Sequence, residues 1–174
     1  LLRQTEGSGM PVSVSILGTV TDFTQHITDE VFLNTQDRIA YSAELLIARK
    51  IGRNLSLQVS PAYLYYNFVP TPADKNGVFA VGLGGRMKIT HRMSIDAEYD
   101  LVPKNQIVSY PVYNSFSLGW DIETGGHVFQ LVFTNSQSMV PTQFLTQTTG
   151  TWGKGDIYFG FNISRNFNLK KRSK

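Results

Sequence analysis

Three acidic residues recur at every second position in one stretch of the chain: Asp96, Glu98 and Asp100. A β-strand places alternate residues on one face, so these carboxylates would form a ladder. Arg86 and Lys88 alternate in the same way in the preceding stretch. Neighbouring carboxylates can transfer protons or bind cations, whereas carboxylates neutralised by cations form a structural network. We expect the structural network, because Arg86 and Lys88 would lie on the adjacent strand.

Other charged residues share the polar side of the predicted strands. The complete predicted charge network consists of Glu44, Arg86, Lys88, Asp96, Glu98, Asp100, Asp121 and Glu123. Ionised groups in a dry core are costly unless they are paired, so this face must be hydrated. It is therefore either the outer surface of a soluble sandwich or the narrow lumen of a membrane barrel. The small residues between the charges favour the lumen.

The histidines are the remaining candidates for chemistry. His91 and His127 are predicted to lie at the same end of the strands, where a metal or haem contact is conceivable. Asp22 and His26 are the one acid–histidine pair in the long loops that a hydrolase could use. No motif frames either pair, so we predict no catalytic residue, no metal site and no cofactor, and a protein that is not an enzyme. Basic residues are not interleaved with aromatics along a groove, which argues against nucleic-acid binding.

Strict alternation of apolar and polar residues predicts the elements that carry these groups. In residues 156–167, for example, Phe159 and Phe161 alternate with Gly160 and Asn162. The pattern predicts eight strands, at residues 11–23, 38–50, 54–68, 78–90, 93–102, 112–123, 127–135 and 156–167. Most have ten or more residues, which is long for a soluble domain.

The predicted connections alternate between short and long. Short ones fall at residues 51–53, 91–92 and 124–126, and long ones at 24–37, 69–77, 103–111 and 136–155. This alternation is typical of outer-membrane barrels. Residues 1–174 therefore read as one all-β domain, an antiparallel up-and-down transmembrane β-barrel. The residues expected to face lipid are Trp120, Phe129, Phe133, Phe159 and Phe161.

Aromatic residues near the long connections resemble the girdle at a membrane interface. They are Tyr63, Tyr65, Tyr66, Phe68, Phe79, Tyr110, Tyr113, Tyr158 and Phe159. The low charged fraction of 17% agrees with a lipid-facing surface. Most Lys and Arg residues lie at the opposite end, where they could contact phospholipid head groups or an acidic partner.

The short turns also predict the register of two hairpins. Pairing Ile89 with Met93 places Arg86 opposite Asp96, Gly84 opposite Glu98 and Gly82 opposite Asp100. Pairing Ile122 with His127 places Trp120 opposite Phe129, Leu118 opposite Leu131 and Phe116 opposite Phe133. In each hairpin the two polar faces coincide.

Residues 136–155 are too long for a simple connection in a compact barrel. The segment, which contains Met139, Phe144 and Trp152, could fold into the lumen, cap its mouth, contact a partner or remain a loose outer loop.

Two stretches resemble the motifs of a known family: residues 124–131 (TGGHVFQL) with Thr134-Asn135, and residues 155–165 (GDIYFGFNISR). With Met10-Pro11-Val12-Ser13, they are similar to an uncharacterised Bacteroidota outer-membrane β-barrel family, a domain of unknown function. The resemblance implies an upstream secretion signal and about four more strands. This chain would then be the C-terminal portion of a barrel of about twelve strands, with its N-terminal strands missing.

The expected location is the bacterial outer membrane, with lipid and other outer-membrane or periplasmic proteins as partners. Two functions stay open: a non-enzymatic structural or accessory subunit of an outer-membrane assembly, or a small porin-like channel for ions or solutes. The pairing of the charge network would discriminate between them. A soluble lipid-binding barrel is a third, weaker alternative.

Overall fold

The computed structural model describes residues 1–5, 9–24 and 34–165 of the chain. It contains one sheet of eight antiparallel strands in sequence order, which curves into a half-barrel. The strands are β1 (Ser13–Asp22), β2 (Ile39–Ile51), β3 (Leu55–Tyr66), β4 (Gly77–Lys88), β5 (Met93–Leu101), β6 (Ser115–Thr124), β7 (His127–Thr134) and β8 (Tyr158–Arg165). The predicted all-β, up-and-down fold is confirmed.

The two ends of the sheet differ as the spacing predicts. One end, here the turn end, carries the tight connections β2–β3, β4–β5 and β6–β7. The other, the loop end, carries the long connections, with 3₁₀ turns at Thr35–Arg38 and Trp152–Lys154 and one short helix, α1 (Pro141–Phe144). None of the helical segments in the described ranges is long and apolar enough to cross a membrane.

Alternation along each strand gives the sheet two chemically distinct faces. On β3, Ser60, Ala62 and Leu64 point to the concave face and are buried, whereas Tyr63 and Tyr65 point to the convex face and are exposed. Similar alternation on the other strands leaves the convex face covered by large aliphatic and aromatic side chains. So continuous an apolar surface is unfavourable in water and suits lipid.

The register is confirmed for one hairpin and corrected for the other. Between β4 and β5, Arg86 lies opposite Asp96, Gly84 opposite Glu98 and Gly82 opposite Asp100, as predicted. The predicted β6–β7 register was wrong by two residues. Trp120 lies opposite Leu131, Leu118 opposite Phe133 and Ile122 opposite Phe129.

The turn explains the correction. Gly125 and Gly126 both have positive φ, so they form a two-residue turn that pairs Thr124 with His127. A shift of two residues keeps every side chain on its predicted face, because alternation along a strand has a period of two.

The chain before β1 runs back along that strand. Leu2 forms one antiparallel bridge with Val14, and the Thr5 amide donates to the Met10 carbonyl. Residues 6–8, between Thr5 and Met10, lie outside the described residues. Apart from the Leu2 bridge, β1 pairs only with β2 and β8 only with β7 in the described parts of the chain.

Candidate functional site

The concave face near the turn end carries a continuous row of polar contacts. Arg86 Nη2 lies 2.7 Å from Asp121 Oδ2, and Arg86 Nε donates to Ser94 Oγ at 2.9 Å. Gln130 donates through Nε2 to Asp121 Oδ1 at 2.9 Å, and its Oε1 accepts from Asn162 Nδ2 at 3.0 Å. The row extends from β4 to β8 and satisfies Asp121, whose exposed fraction is only 4%.

Four other carboxylates on this face lack such compensation. Glu44, Asp96, Glu98 and Asp100 have no Lys, Arg or His nitrogen within 4.0 Å among the described residues. Glu98 is close enough to Glu44 and to Asp100 to repel both. Arg86 therefore forms its salt bridge with Asp121, and within the predicted ladder it interacts only at longer range, with Asp96.

Two carboxylate oxygens in this cluster are buried without a hydrogen-bond donor from any described residue. They are Glu44 Oε1 and Asp96 Oδ1. The remaining members of the predicted charge network, Lys88 and Glu123, are exposed at the turn end. Neither forms an ion pair with another described residue. The concave face thus carries an excess of negative charge at mid-height.

Glycines make room for the acidic side chains. A Cβ at Gly119 would collide with the Asp96 carboxylate, and one at Gly82 would lie 2.8 Å from Asp100 Oδ1. Beside them is a cavity of about 350 Å³, lined by Ser56, Gln58, Arg86, Asp96 and Glu98 among others. This part of the concave face therefore combines charged side chains with open space large enough for water.

The loop-end half of the same face is filled by protein. Residues 135–157, here the inner segment, fold over the concave face and bring Leu145 onto an apolar cluster of Ala62, Leu64, Val78 and Ala80. Leu64 and Val78 are fully buried and Leu145 is 3% exposed. Of the placements considered for residues 136–155, the structure thus has the segment folded inward.

Hydrogen bonds fix the inner segment to the sheet. The Tyr66 hydroxyl donates to the Thr142 carbonyl and lies 2.6 Å from Thr146 Oγ1. Thr21 Oγ1 lies 3.0 Å from Thr142 Oγ1. Thr142 and Thr146 are almost completely buried, so their hydroxyls require these partners. Tyr66, predicted as part of the aromatic girdle, instead lies on the concave face, because it shares the parity of Leu64.

Both ends of the inner segment are also held. Asn135 Nδ2 donates to the Asn114 and Gly150 carbonyls at 3.0 and 2.8 Å, and its Oδ1 accepts from the Phe116 amide at 2.7 Å. Trp152 Nε1 donates to the Phe116 carbonyl at 2.9 Å. A segment held in this way is a fixed part of the fold.

Asp74 joins two of the long connections. Its Oδ1 accepts from the Val108 and Ser109 amides at 2.7 and 3.0 Å, and its Oδ2 accepts from the Thr71 hydroxyl at 2.9 Å. Burial alone would raise the pKa of Asp74, but these donors and the Ser109 hydroxyl lower it to about 2. Gln106 adds three hydrogen bonds to the backbone of Phe79 and Pro103.

Two of the three histidines lie in the described part of the chain. His91 lies in the β4–β5 turn and His127 begins β7, while His26 lies outside the described residues. No group of three or more His, Asp or Glu residues in the described ranges is arranged to hold a metal ion.

The residues expected to face lipid lie on the convex side of β6, β7 and β8. Trp120, Phe133, Phe159 and Phe161 are between 41% and 62% exposed. Phe129 is partly covered by Phe161, with ring centroids 6.3 Å apart, and Phe133 packs on Phe159 at 5.4 Å. These four phenylalanine rings form two pairs across β7 and β8, and Trp120 lies opposite Leu131 on the neighbouring strand.

Sequence reasoning missed the residues that organise the loop end: Asp74, Gln106, Asn135, Thr142, Leu145 and Thr146. One sign was available in the sequence. Tyr66 lies two residues after Leu64 and therefore on the concave face, where its hydroxyl needs a polar partner. The others act through hydrogen bonds between residues far apart in sequence, up to 121 positions for Thr21 and Thr142.

Comparison with known proteins supports the assignment of the fold to a membrane. No curated protein and no solved structure matches the chain. The model of one family, described as "Membrane bound beta barrel domain (DUF5777)", matches residues 1–167. Since the match covers nearly the whole chain, this protein belongs to that family of membrane-bound β-barrel domains of unknown function.

Proposed function

We propose that this chain is a non-enzymatic structural or accessory subunit of an assembly in the bacterial outer membrane. The observation that carries the proposal is the inner segment on the concave face. Leu145 packs there against Leu64 and Val78, and Tyr66 binds Thr142 and Thr146. A rigid, apolar filling at one end suits a scaffold better than an open pore.

The charge distribution supports contacts with other proteins at the turn end. Arg49, Lys50, Arg53, Lys88 and Arg92 are exposed there, and none forms an ion pair with a described residue. A surface of this kind attracts acidic partners or anionic head groups. We expect outer-membrane lipid around the convex face and an outer-membrane or periplasmic protein at the turn end.

The proposal is tested by isolating the tagged full-length protein from native outer membranes in mild detergent. A photo-crosslinking residue at Arg53 samples the turn end, and one at Trp120 samples the lipid-facing surface as a matched control. A partner present in fixed stoichiometry and crosslinked only from Arg53 supports the subunit role. A protein that elutes alone, with no crosslink from Arg53, contradicts it.

A second candidate is a small cation-selective channel. It is favoured by Asp96, Glu98 and Asp100, which form no salt bridge with another described residue, and by the open cavity beside Asp96 and Glu98, since carboxylates lining a pore attract cations. Single-channel recording in planar bilayers decides between the two. The channel is supported if the protein conducts ions and if Glu98→Gln shifts the reversal potential towards that expected for anions. It is contradicted if the bilayer shows no conductance.

A further inference from the structure

A second cavity, of about 290 Å³, lies at the loop end between the inner segment and the ends of the strands. All four long connections contribute to its lining: Phe23 and Asp37 from β1–β2, Phe68 from β3–β4, Tyr110 from β5–β6 and Gln147 from β7–β8. Loops that converge on one cavity above a rigid sheet are the usual arrangement of a recognition site. The location separates this cavity from the acidic cluster near the turn end.

The cavity has an apolar interior and a polar rim. Its buried base includes Val78 and Thr146, and Phe23, Phe68 and Ile107 contribute apolar walls. The rim residues Lys75, Gln147 and Thr149 are exposed, and Asp37 is half-buried. Apolar walls with a few polar groups at the opening characterise small-molecule sites.

Hydrogen bonds hold the walls in place in the absence of a ligand. Asp74 binds the Val108 and Ser109 amides, which fixes the connection that supplies Ile107 and Tyr110. Tyr66 binds Thr146 in the base. A preformed site avoids the free-energy cost of ordering loops when a ligand binds.

Three polar groups on the rim are available to a ligand. The Lys75 ammonium, the Gln147 amide and the Thr149 hydroxyl form no side-chain hydrogen bond or ion pair with another described residue. The Asp74 carboxylate, in contrast, is occupied by its own donors. Asp37 lines the same cavity and carries a charge opposite to that of Lys75. The rim thus offers several hydrogen bonds without a net preference for an anion or a cation.

We propose that this cavity binds a neutral pyranose, as a free sugar or as the terminal residue of a glycan. The C–H face of the ring would pack on the aromatic lining residues Phe23, Phe68 and Tyr110, and its hydroxyls would bond to Gln147, Thr149 and Lys75. Small-ligand sites usually measure about 300–1,000 Å³, so a cavity of about 290 Å³ fits a single ring. A long acyl chain needs a deeper tunnel, and a carboxylate ligand needs a cation without a nearby acid.

The test uses the full-length protein in lipid nanodiscs, which avoids detergents with sugar head groups. Saturation-transfer NMR is recorded with methyl α-glucoside, methyl β-galactoside and methyl α-mannoside, and with octanoate and benzoate as ligands of other classes. We expect saturation of the ring protons of at least one pyranoside and none of octanoate or benzoate. Competition with raffinose and lactose then distinguishes a terminal glycan residue from a free sugar.

Variants locate the binding. Gln147→Leu and Thr149→Val remove exposed rim groups without disturbing the buried base, and each is expected to weaken binding roughly fivefold, as the loss of one hydrogen bond does. Gln137→Leu is the matched control, because Gln137 is exposed on the same segment but does not line the cavity. The proposal is overturned if no pyranoside binds, if octanoate or benzoate binds in its place, or if Gln147→Leu behaves like Gln137→Leu. It is independent of the subunit role.

Discussion

The two halves of the concave face solve the same problem in opposite ways. Near the loop end, the inner segment covers the sheet with apolar contacts. The strand residues Thr21 and Tyr66 give its buried Thr142 and Thr146 hydroxyls hydrogen-bond partners. Towards the turn end, the sheet keeps its own acidic side chains, and among the described residues only Asp121 forms a salt bridge there. One face of one sheet therefore changes from a packed core around Leu64 and Leu145, here the packed half, to a charged surface around Asp96 and Asp121, which requires water and is here the hydrated half.

The difference lies in the residues that the strands place on that face. At the loop end these are Leu64 and Val78, which gain free energy by excluding water. Gly82 lies on β4 four residues after Val78, nearer the turn end. It has no side chain there and so leaves room for the neighbouring Asp100. If an apolar segment filled the turn-end half, it would bury the carboxylates of Glu44, Asp96 and Glu98 without cations, at a high cost in free energy. The inner segment can therefore cover only the loop-end half.

Removing the main apolar contact of the inner segment should have the largest effect. Leu145→Ala leaves a cavity against Leu64 and Val78 and is expected to cost about 2–4 kcal/mol. The cost should appear as local opening, since the strands keep their own ladder of hydrogen bonds. Amide hydrogen exchange at Thr146 and Gln147 measures it directly.

Met139→Ala provides the matched control for that measurement. Met139 lies on the same segment but is 80% exposed, so its truncation should leave exchange at Thr146 unchanged. Equal exchange in the two variants would mean that Leu145 does not hold the segment, and the contrast between the two halves would be lost.

A pair of isosteric changes tests the charge balance of the hydrated half. Asp121→Asn breaks the ion pair with Arg86 and is expected to lower the free energy of unfolding by about 1–2 kcal/mol. Asp100→Asn should leave it unchanged or raise it slightly, because Asp100 is 3% exposed, lies near Glu98 and has no cation among the described residues. Urea unfolding in detergent micelles compares the variants.

Each variant controls for the other, since both change one buried carboxylate to an amide on the same face. A larger loss in Asp100→Asn than in Asp121→Asn would show that the acidic cluster is compensated after all. That result would favour a bound cation and weaken the idea of an uncompensated hydrated surface.

The sequence predicted the hydrated half better than the packed half. Alternation alone placed Arg86, Asp96 and Asp100 on the concave face, because a strand fixes the direction of each side chain. It did not predict that Arg86 reaches diagonally to Asp121. That choice depends on the length and direction of the side chain, which the period of two does not encode.

The packed half depends on contacts that have no local pattern. Leu145 and Thr146 lie in a segment without regular periodicity, and their partners Leu64 and Tyr66 are about eighty positions away. The length of residues 136–155 indicated that the segment had a role but left its position open. Likewise, the β6–β7 register depended on the exact conformation of Gly125 and Gly126, whereas the faces did not.

The smallest predicted effect concerns Asp74, whose carboxylate joins two of the long connections next to the packed half. The pKa of Asp74 is about 2 in the folded protein, below its ordinary value of 3.8. A depressed pKa means that the stabilising contribution is fully present above about pH 4 and is lost as the pH falls towards about 2. Exchange protection of the Val108 and Ser109 amides, corrected for the intrinsic pH dependence of exchange, should decrease over that window.

Asp74→Asn separates this effect from general acid unfolding. The amide oxygen can still accept from the Val108 and Ser109 amides, so the variant should lose only about 1 kcal/mol, and its residual protection should no longer depend on pH between about 4 and 2. The Tyr113 amide, which donates to the Thr148 carbonyl at 2.9 Å, reports on the same connection without a carboxylate acceptor. If protection at Tyr113 and Val108 decreased in parallel in the wild-type protein, the whole loop end would be opening, and Asp74 would have no separate part in holding it.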